Sequence, residues 1–395
     1  MRLDDVPEPK IKEPTDAIVR LTASAICGTD LHMIRGTFTG MVPGTILGHE
    51  GVGIVEEVGK GVRNLKAGDR VVIPSTISCG VCSYCRAGYT SQCDNANPNG
   101  KLAGTAFYGG PKPTGPFDGL QAEYARVPFA HAGLMKLDPA IGDDQAILCS
   151  DIFPTAYFGA EMAEISPGDT VAVFGCGPVG QFVIASAKVL GAGRIIAIDA
   201  IPSRLAMARD QGAEVINFNE EDPLAVLLEL TGGVGVDRAI DAVGVDAYQP
   251  ESGPAVKAIK SYAKGFKDEV NENAPKQNPD GKNWVPGNAP SQALRWAVTA
   301  LAKAGTLSII GVYPPTAEVF PIGIAMNKNL TLRMGNCHHR KYTPMVLELV
   351  RTGRVEPLQV LTQREPLISA LQAYREFDLR SPGWMKVELQ PALDS

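Results

Sequence analysis

The rhythm of apolar and polar positions changes near residue 150. Before it, apolar residues alternate in short stretches such as Ile18-Val19-Arg20-Leu21 and Gly53-Ile54-Val55-Glu56-Glu57-Val58. Turn residues separate them, and Ala67-Gly68-Asp69-Arg70-Val71-Val72-Ile73-Pro74 reads as a turn followed by a strand. This pattern predicts a small β-rich domain. From Thr170 onward, short apolar runs alternate with helical periodicity. Strands are expected at 170–174, 194–199, 214–217, 236–242, 306–311 and 330–335. Helices are expected at 178–191, 202–211, 223–230 and 291–303. Strands interleaved with helices in this way give an α/β doubly wound parallel sheet. A helical segment after Cys149, running to about Glu164, joins the halves. Thr343–Arg351 and Pro366–Phe377 read as helices, and Lys386-Val387-Glu388-Leu389 as a closing strand that returns to the first domain.

The rhythm breaks between Val245 and about Pro290, where Pro250, Pro254, Pro275, Pro279, Pro286 and Pro290 fall among Asn and Lys. Ala255 to Val270 can form a helix. Two readings stay open for this insertion, a solvated surface loop and a flap over a cofactor or a subunit contact. The second follows from its departure at the carboxyl end of a strand, where ligands bind in such sheets.

Gly175-Cys176-Gly177-Pro178-Val179-Gly180 fits G-x-G-x-x-G between an apolar strand and a helix. The first Gly permits the tight turn, the second lets backbone approach a pyrophosphate, and the third lets the helix lie close on the strand. Asp199 ends the following strand, where an acid can accept from ribose hydroxyls, and this favours NAD. Arg204 works the other way, since a nearby Arg can accommodate the 2′-phosphate of NADP.

A chain of 395 residues suits two domains, and 45% hydrophobic with 20% charged residues is the composition of a soluble globular protein. A net charge of −6 gives no electrostatic footprint for nucleic acid or an anionic membrane. No apolar run approaches the ~20 residues of a membrane-spanning helix, and the N-terminus lacks the apolar core of a secretory signal. The expected location is cytoplasmic.

In that setting, clustered cysteines read as metal ligands rather than disulfides. Cys79-x2-Cys82-x2-Cys85-x7-Cys93 can converge on one tetrahedral ion, and a closed site of four thiolates is structural. A [4Fe–4S] cluster is its rival. Cys27 and His49 offer the soft thiolate and the imidazole that Zn2+ prefers, and await a third ligand. Cys337-His338-His339 reads as a polar loop, because adjacent histidines cannot both face one ion from a regular element.

With these pieces the chain resembles the zinc-dependent, medium-chain alcohol dehydrogenase family over nearly its whole length. The resemblance rests on Cys27-Gly28-Thr29-Asp30-x-His32, Gly48-His49-Glu50-Gly51-x-Gly53, the four-cysteine run, Gly119-Leu120-Gln121-Ala122-Glu123-Tyr124 and the turn from Gly175 to Asp199. It implies a GroES-like catalytic domain, 1–152 with 337–395, whose structural zinc lobe spans 79–93. It also implies an NAD-binding Rossmann domain, 153–336, with the insertion at about 246–290. By the same resemblance the third ligand falls six residues before Tyr157, at Asp151, with Cys149 competing. Asp151, the Cys149-to-Thr155 string and the insertion are similar to the glutathione-independent formaldehyde dehydrogenase and formaldehyde dismutase branch. The family's usual strand before Val6-Pro7-Glu8-Pro9 is missing here, so either the start lies upstream or a sheet edge is exposed.

The roles implied are two zinc ions, one at Cys27, His49 and Asp151 and one at Cys79, Cys82, Cys85 and Cys93. Thr29 would take the substrate hydroxyl proton and His32 would carry it onward. Glu50 would tune the catalytic ion. Gly175, Gly177, Val179 and Gly180 would hold the pyrophosphate, Asp199 and Arg204 the ribose, and Lys386 a phosphate. The expected reaction is hydride transfer between a small, formaldehyde-like alcohol or aldehyde and NAD, in a homo-oligomer (tetramer or dimer). A polyol or threonine dehydrogenase is the alternative within the family, and a non-catalytic NAD- and zinc-binding protein the alternative outside it.

Overall fold

The computed structural model describes residues 1–115, 117–273 and 287–391. Part of the expected insertion, including Pro275, Pro279 and Pro286, therefore lies outside the described residues. The chain divides into two units, Met1–Thr155 with Asn336–Ser395, and Ala156–Gly335.

The strands, in chain order, are β1 (Ala17–Ile26), β2 (Gly51–Val58), β3 (Arg70–Ile73), β4 (Tyr124–Val127) and β5 (Met135–Lys136). Then come β6 (Thr170–Phe174), β7 (Arg194–Asp199), β8 (Glu214–Asn217) and β9 (Val236–Asp241). β10 (Leu301–Ile309), β11 (Thr331–Met334), β12 (Gln363–Pro366) and β13 (Val387–Gln390) complete them.

In the first unit, β1 organises a seven-stranded sheet, ordered β12-β13-β1-β2-β3-β5, with β4 also on β1. One edge of β1 carries β2. The other carries β4 along Ala17–Arg20 and β13 along Ser24–Ile26. Val19, Leu21, Val55, Val71, Ile73 and Val127 are core residues of this unit, as the alternating pattern requires.

The antiparallel registers place the site. Ser24 pairs with Gly51, Gly51 with Ile73, and Ile26 with Val387. Residues just past β1, just before β2, just past β3 and just before β13 therefore meet at one end of the sheet. Those residues are Cys27, His49-Glu50, Ser75-Thr76 and Lys386.

The second unit is a parallel six-stranded sheet ordered β11-β10-β9-β6-β7-β8. Its order reverses between β6 and β9, the topological switch point of a doubly wound fold. β6 and β7 are apolar because helices cover both faces of such a sheet. β10 starts at Leu301, earlier than the pattern suggested, because Leu301 is already extended and pairs with Val236. The strand then shifts register through Ala304, at φ 61°, before Thr306 joins Arg238.

The helix expected over Ala255–Val270 is broken into Ala255–Ala258, a 3-10 turn at Ala263–Gly265 and Phe266–Asn273. The break sets Tyr262 edge-on to Phe266 and beneath the Arg295 guanidinium, 4.8 Å from the ring centroid. No helix among the described residues is long and apolar enough to cross a membrane.

Candidate functional site

Cys27 caps the helix Gly28–Arg35, and its N–H donates to Asp30 Oδ2 at 2.9 Å. Asp151 immediately precedes the helix Ile152–Met162, whose Thr155 N–H bonds back to the Asp151 carbonyl at 2.9 Å. Local folding thus aims Cys27 and Asp151 at the sheet end where His49 and Glu50 emerge. Cys27, His49, Glu50 and Asp151 each bring a donor atom within 4.8 Å of the others. Asp151 Oδ2 lies 3.4 Å from His49 Nε2 and 3.8 Å from Cys27 Sγ. Cys149 is fully buried outside this group, and burial pushes its thiol pKa up.

The charges around these donors are layered. His49 Nδ1 sits 3.1 Å from Asp30 Oδ1, the carboxylate–histidine arrangement that orients metal-binding imidazoles. Burial works against a charged His49, but Asp30 and Asp151 outweigh it and hold its pKa well above the usual value. Burial likewise opposes ionised Asp151, yet His339 and His49 keep its pKa well below the carboxylate range. Burial raises the Cys27 thiol despite His49, and raises Glu50 despite Lys386.

Sulfur, imidazole nitrogen and carboxylate oxygen, buried together, are the donor set of Zn2+. Glu50 Oε2 adds a buried oxygen without a hydrogen-bond partner. The residues present fit a catalytic zinc ion. Thr29 and His32 share the helix Gly28–Arg35, three positions apart and hence neighbours on its surface. Thr29 Oγ1 lies 3.8 Å from Cys27 Sγ, and His32 is buried edge-on to Phe38.

The four cysteines of the 79–93 lobe also converge, all within 4.8 Å of one another. Cys82 Sγ and Cys93 Sγ are 3.9 Å apart, far beyond a disulfide. This separation matches the ~3.8 Å between sulfurs of a tetrahedron with Zn–S bonds of about 2.3 Å. Burial raises the Cys82 thiol, but N–H donors from Cys85 and Asp94 prevail and bring it to about 7, whereas burial pushes the Cys85 and Cys93 thiols up. Val81 and Cys82 N–H groups donate to Cys79 Sγ, each at 3.4 Å. Amides aimed at sulfur favour thiolates, and thiolates bind metal.

In the second unit the glycine turn has the expected shape. Gly175 takes φ 91°, and a Cβ there would meet Val243 Cγ2 at 2.3 Å. A Cβ on Gly177 would meet only Arg204 Nη1, at 3.6 Å, so space stays open above this backbone. A Cβ on Gly180 would lie 1.9 Å from the Gly175 carbonyl oxygen. Gly177 caps the helix Pro178–Val189, which begins with Pro178 and Val179. Asp199 Oδ2 accepts from Cys176 N–H at 2.8 Å, tying the acid to the loop. This cradle fits a dinucleotide.

Two expectations are corrected. Lys386 is fully buried, with Nζ 2.5 Å from Glu50 Oε1 and 2.9 Å from the Ile26 carbonyl. Its charge is committed there and leaves no exposed ammonium for a cofactor phosphate. His338-His339 is not a polar loop: His339 opens the helix His339–Arg351 and is buried, with Nε2 2.8 Å from Asp151 Oδ1. Burial opposes its charge, but Cys337 and Asp151 raise its pKa to about 10. Asp30, Ser75 and Thr76 are further site residues that sequence reasoning missed. Asp30 stood inside the Cys27–His32 motif, whereas Ser75 and Thr76 carried no signal beyond following a strand.

Buried sulfur, imidazole and carboxylate donors in one unit, with a dinucleotide turn in the other, define a class: zinc-type oxidoreductases. Residues 13–139 match the family described as Alcohol dehydrogenase GroES-like domain, and residues 178–260 that described as Zinc-binding dehydrogenase. The chain is 38% identical over 391 residues to the uncharacterized zinc-type alcohol dehydrogenase-like protein AdhB of Bacillus subtilis, covering 98% of this chain and 96% of that one. It is 34% identical over 395 residues to the glutathione-independent formaldehyde dehydrogenase of Pseudomonas aeruginosa, covering 97% and 93%. Among solved structures it resembles alcohol dehydrogenase TADH from Thermus sp. ATN1, with a TM-score of 0.78 at 34% identity over 98% of this chain and 96% of that one. The chain belongs to the zinc-type alcohol dehydrogenase family, with a GroES-like domain and a six-stranded Rossmann sheet.

Proposed function

We propose that the protein is an NAD-dependent zinc dehydrogenase that oxidises a small alcohol or aldehyde, formaldehyde being the substrate favoured. The convergence of Asp151 Oδ2 with Cys27 Sγ and His49 Nε2 carries this reading. Cys27, His49 and Asp151 would hold the catalytic ion, and Cys79, Cys82, Cys85 and Cys93 the structural one. When bound, zinc supplies Lewis acidity that lowers an alcohol's pKa, and the nicotinamide supplies the hydride acceptor.

The chain's own residues do the rest. Asp30 orients the His49 ring. Thr29 Oγ1 accepts the proton of the substrate hydroxyl, which for formaldehyde is that of its hydrate, as its own O–H proton passes on towards His32. Gly175, Gly177, Val179 and Gly180 present backbone to the pyrophosphate, while Asp199 and Arg204 meet the adenosine ribose. The carboxylate at position 151 and the likeness to the Pseudomonas aeruginosa formaldehyde dehydrogenase support the substrate. Exposed Ile322, Met326 and Met334, on or near edge strand β11, support a homo-oligomer.

The test is NADH formation by zinc-loaded protein with formaldehyde, ethanol, sorbitol and threonine in parallel. Preference for formaldehyde supports the reading. Preference for a polyol or threonine moves the substrate to that class, and silence on all four overturns the substrate reading.

A further inference from the structure

The two oxygens of Asp151 have different surroundings. Oδ2 faces His49 Nε2 at 3.4 Å and Cys27 Sγ at 3.8 Å. Oδ1 has Ser75 Oγ at 2.9 Å, Thr155 Oγ1 at 3.2 Å and His339 Nε2 at 2.8 Å. A carboxylate is symmetric, so nothing within Asp151 decides which oxygen turns towards Cys27 and His49, or whether one or both do. The surroundings decide, and His339 makes the shortest of these contacts.

The His339 ring is itself fixed. Thr76 Oγ1 lies 3.1 Å from its Nδ1, and the ring is buried. Its backbone belongs to a strap stitched down on both sides. Asn336 Nδ2 donates to Thr105 Oγ1 at 2.7 Å, and Ser91 Oγ donates to the Asn336 carbonyl at 3.0 Å. His338 Nδ1 lies 2.9 Å from Ser91 Oγ, within the four-cysteine lobe. Arg340 Nη1 donates to the Ala132 carbonyl at 3.1 Å. The adjacent histidines thus face different partners, His338 the lobe and His339 Asp151.

We propose that His339 is a positioning residue, whose Nε2–H holds Asp151 Oδ1 and leaves Oδ2 alone to face Cys27 and His49 as a one-oxygen ligand. The inference rests on the reading of Asp151 as third ligand. Hydrogen bonds to a metal-binding carboxylate fix its orientation, and their loss weakens the metal by about 10–100-fold.

The test uses the full chain, stripped with chelator and reloaded with Co2+, reading ion content, affinity at the weaker site and the visible ligand-field spectrum. His339→Leu removes the donor at similar volume. It should bind the second ion about 10–100-fold more weakly, with an altered spectrum, while keeping one ion in the four-cysteine lobe. His339→Gln carries an amide N–H and should restore most of the affinity and the original spectrum. Wild-type affinity and spectrum in His339→Leu overturn the proposal. Should that variant not fold, Thr76→Val decides: a weakened second ion supports the proposal and an unchanged one overturns it. Asp151→Asn separates the two readings. Loss of the second ion there, with unaffected His339 variants, removes only this inference, whereas an unchanged second ion removes the ligand reading and this inference with it.

Discussion

Lys386 Nζ lies 2.5 Å from Glu50 Oε1, and both side chains are fully buried. Such a pair gives little net stability, because desolvation offsets most of the attraction, but removing one partner strands the other charge. Lys386→Met should therefore cost about 3–5 kcal/mol in urea unfolding at matched metal content. The double variant Glu50→Gln with Lys386→Met should lose far less than the sum of the single changes. Additive losses, or a negligible effect of Lys386→Met, would show that the pair is not coupled.

The same pair marks where sequence reading ends. The glycine turn and the parallel strands were legible because local chemistry forces them: an apolar run, then Gly175 at positive φ and Gly180 where a Cβ would strike backbone. The four-cysteine lobe was legible because its ligands lie within one short loop. The resemblance gave Lys386 a phosphate contact, which needs a free ammonium, whereas its partner in the fold is Glu50, 336 residues away in the chain. His339 and Asp151 are 188 residues apart, and only the β1, β2, β3 and β13 registers with two helix starts bring that neighbourhood together. The broken helix over Ala255–Val270 failed for a similar reason. In the break Tyr262 packs against Phe266 and the Arg295 guanidinium, an arrangement that periodicity within the segment does not encode.

Gly177 and Gly180 should respond differently to the same methyl group. At Gly180 the Cβ would lie 1.9 Å from the Gly175 carbonyl, so backbone must move. Gly180→Ala should lose about 1–3 kcal/mol of stability even without cofactor. At Gly177 the only neighbour is Arg204 Nη1 at 3.6 Å, so Gly177→Ala should stay within about 0.5 kcal/mol of wild type. It should nonetheless weaken NAD binding, because the methyl occupies the open approach to the backbone. Thermal unfolding and NAD titration of both variants check this, and equal stabilities would sink it.

Asp199 sets the cofactor preference in our reading. Its Oδ1 accepts from Ala200 N–H at 2.7 Å and Ile201 N–H at 3.0 Å, which with the Cys176 N–H locks the carboxylate beside the loop. A fixed negative charge there repels a 2′-phosphate. Asp199→Asn should narrow the preference for NAD over NADP by about 10-fold, roughly 1.4 kcal/mol. Arg204→Ala should weaken whatever NADP binding exists more than NAD binding. Titration of each cofactor by fluorescence measures both ratios, and an unchanged ratio in Asp199→Asn would assign discrimination elsewhere.

Asp241 should give stability a pH dependence of its own. It ends β9 fully buried, with Oδ1 accepting from Val243 and Gly244 N–H groups and Oδ2 from Tyr313 Oη–H at 2.6 Å. Burial raises its pKa, and these donors do not fully offset the shift. The folded chain therefore holds this proton to higher pH than the unfolded chain, whose aspartates ionise near ~3.9. Its stabilising contribution is complete below that value and is lost as pH rises through the folded pKa. Asp241→Asn cannot ionise, so the loss should vanish in the variant. The difference in unfolding midpoint, variant minus wild type, should climb from about pH 4 upward and level off once wild-type Asp241 is ionised. Altered hydrogen bonding to Tyr313 adds an offset independent of pH in this range, so the slope is diagnostic. A flat difference would mean that Asp241 ionises in the fold as readily as in the unfolded chain, and a falling one that it ionises more readily.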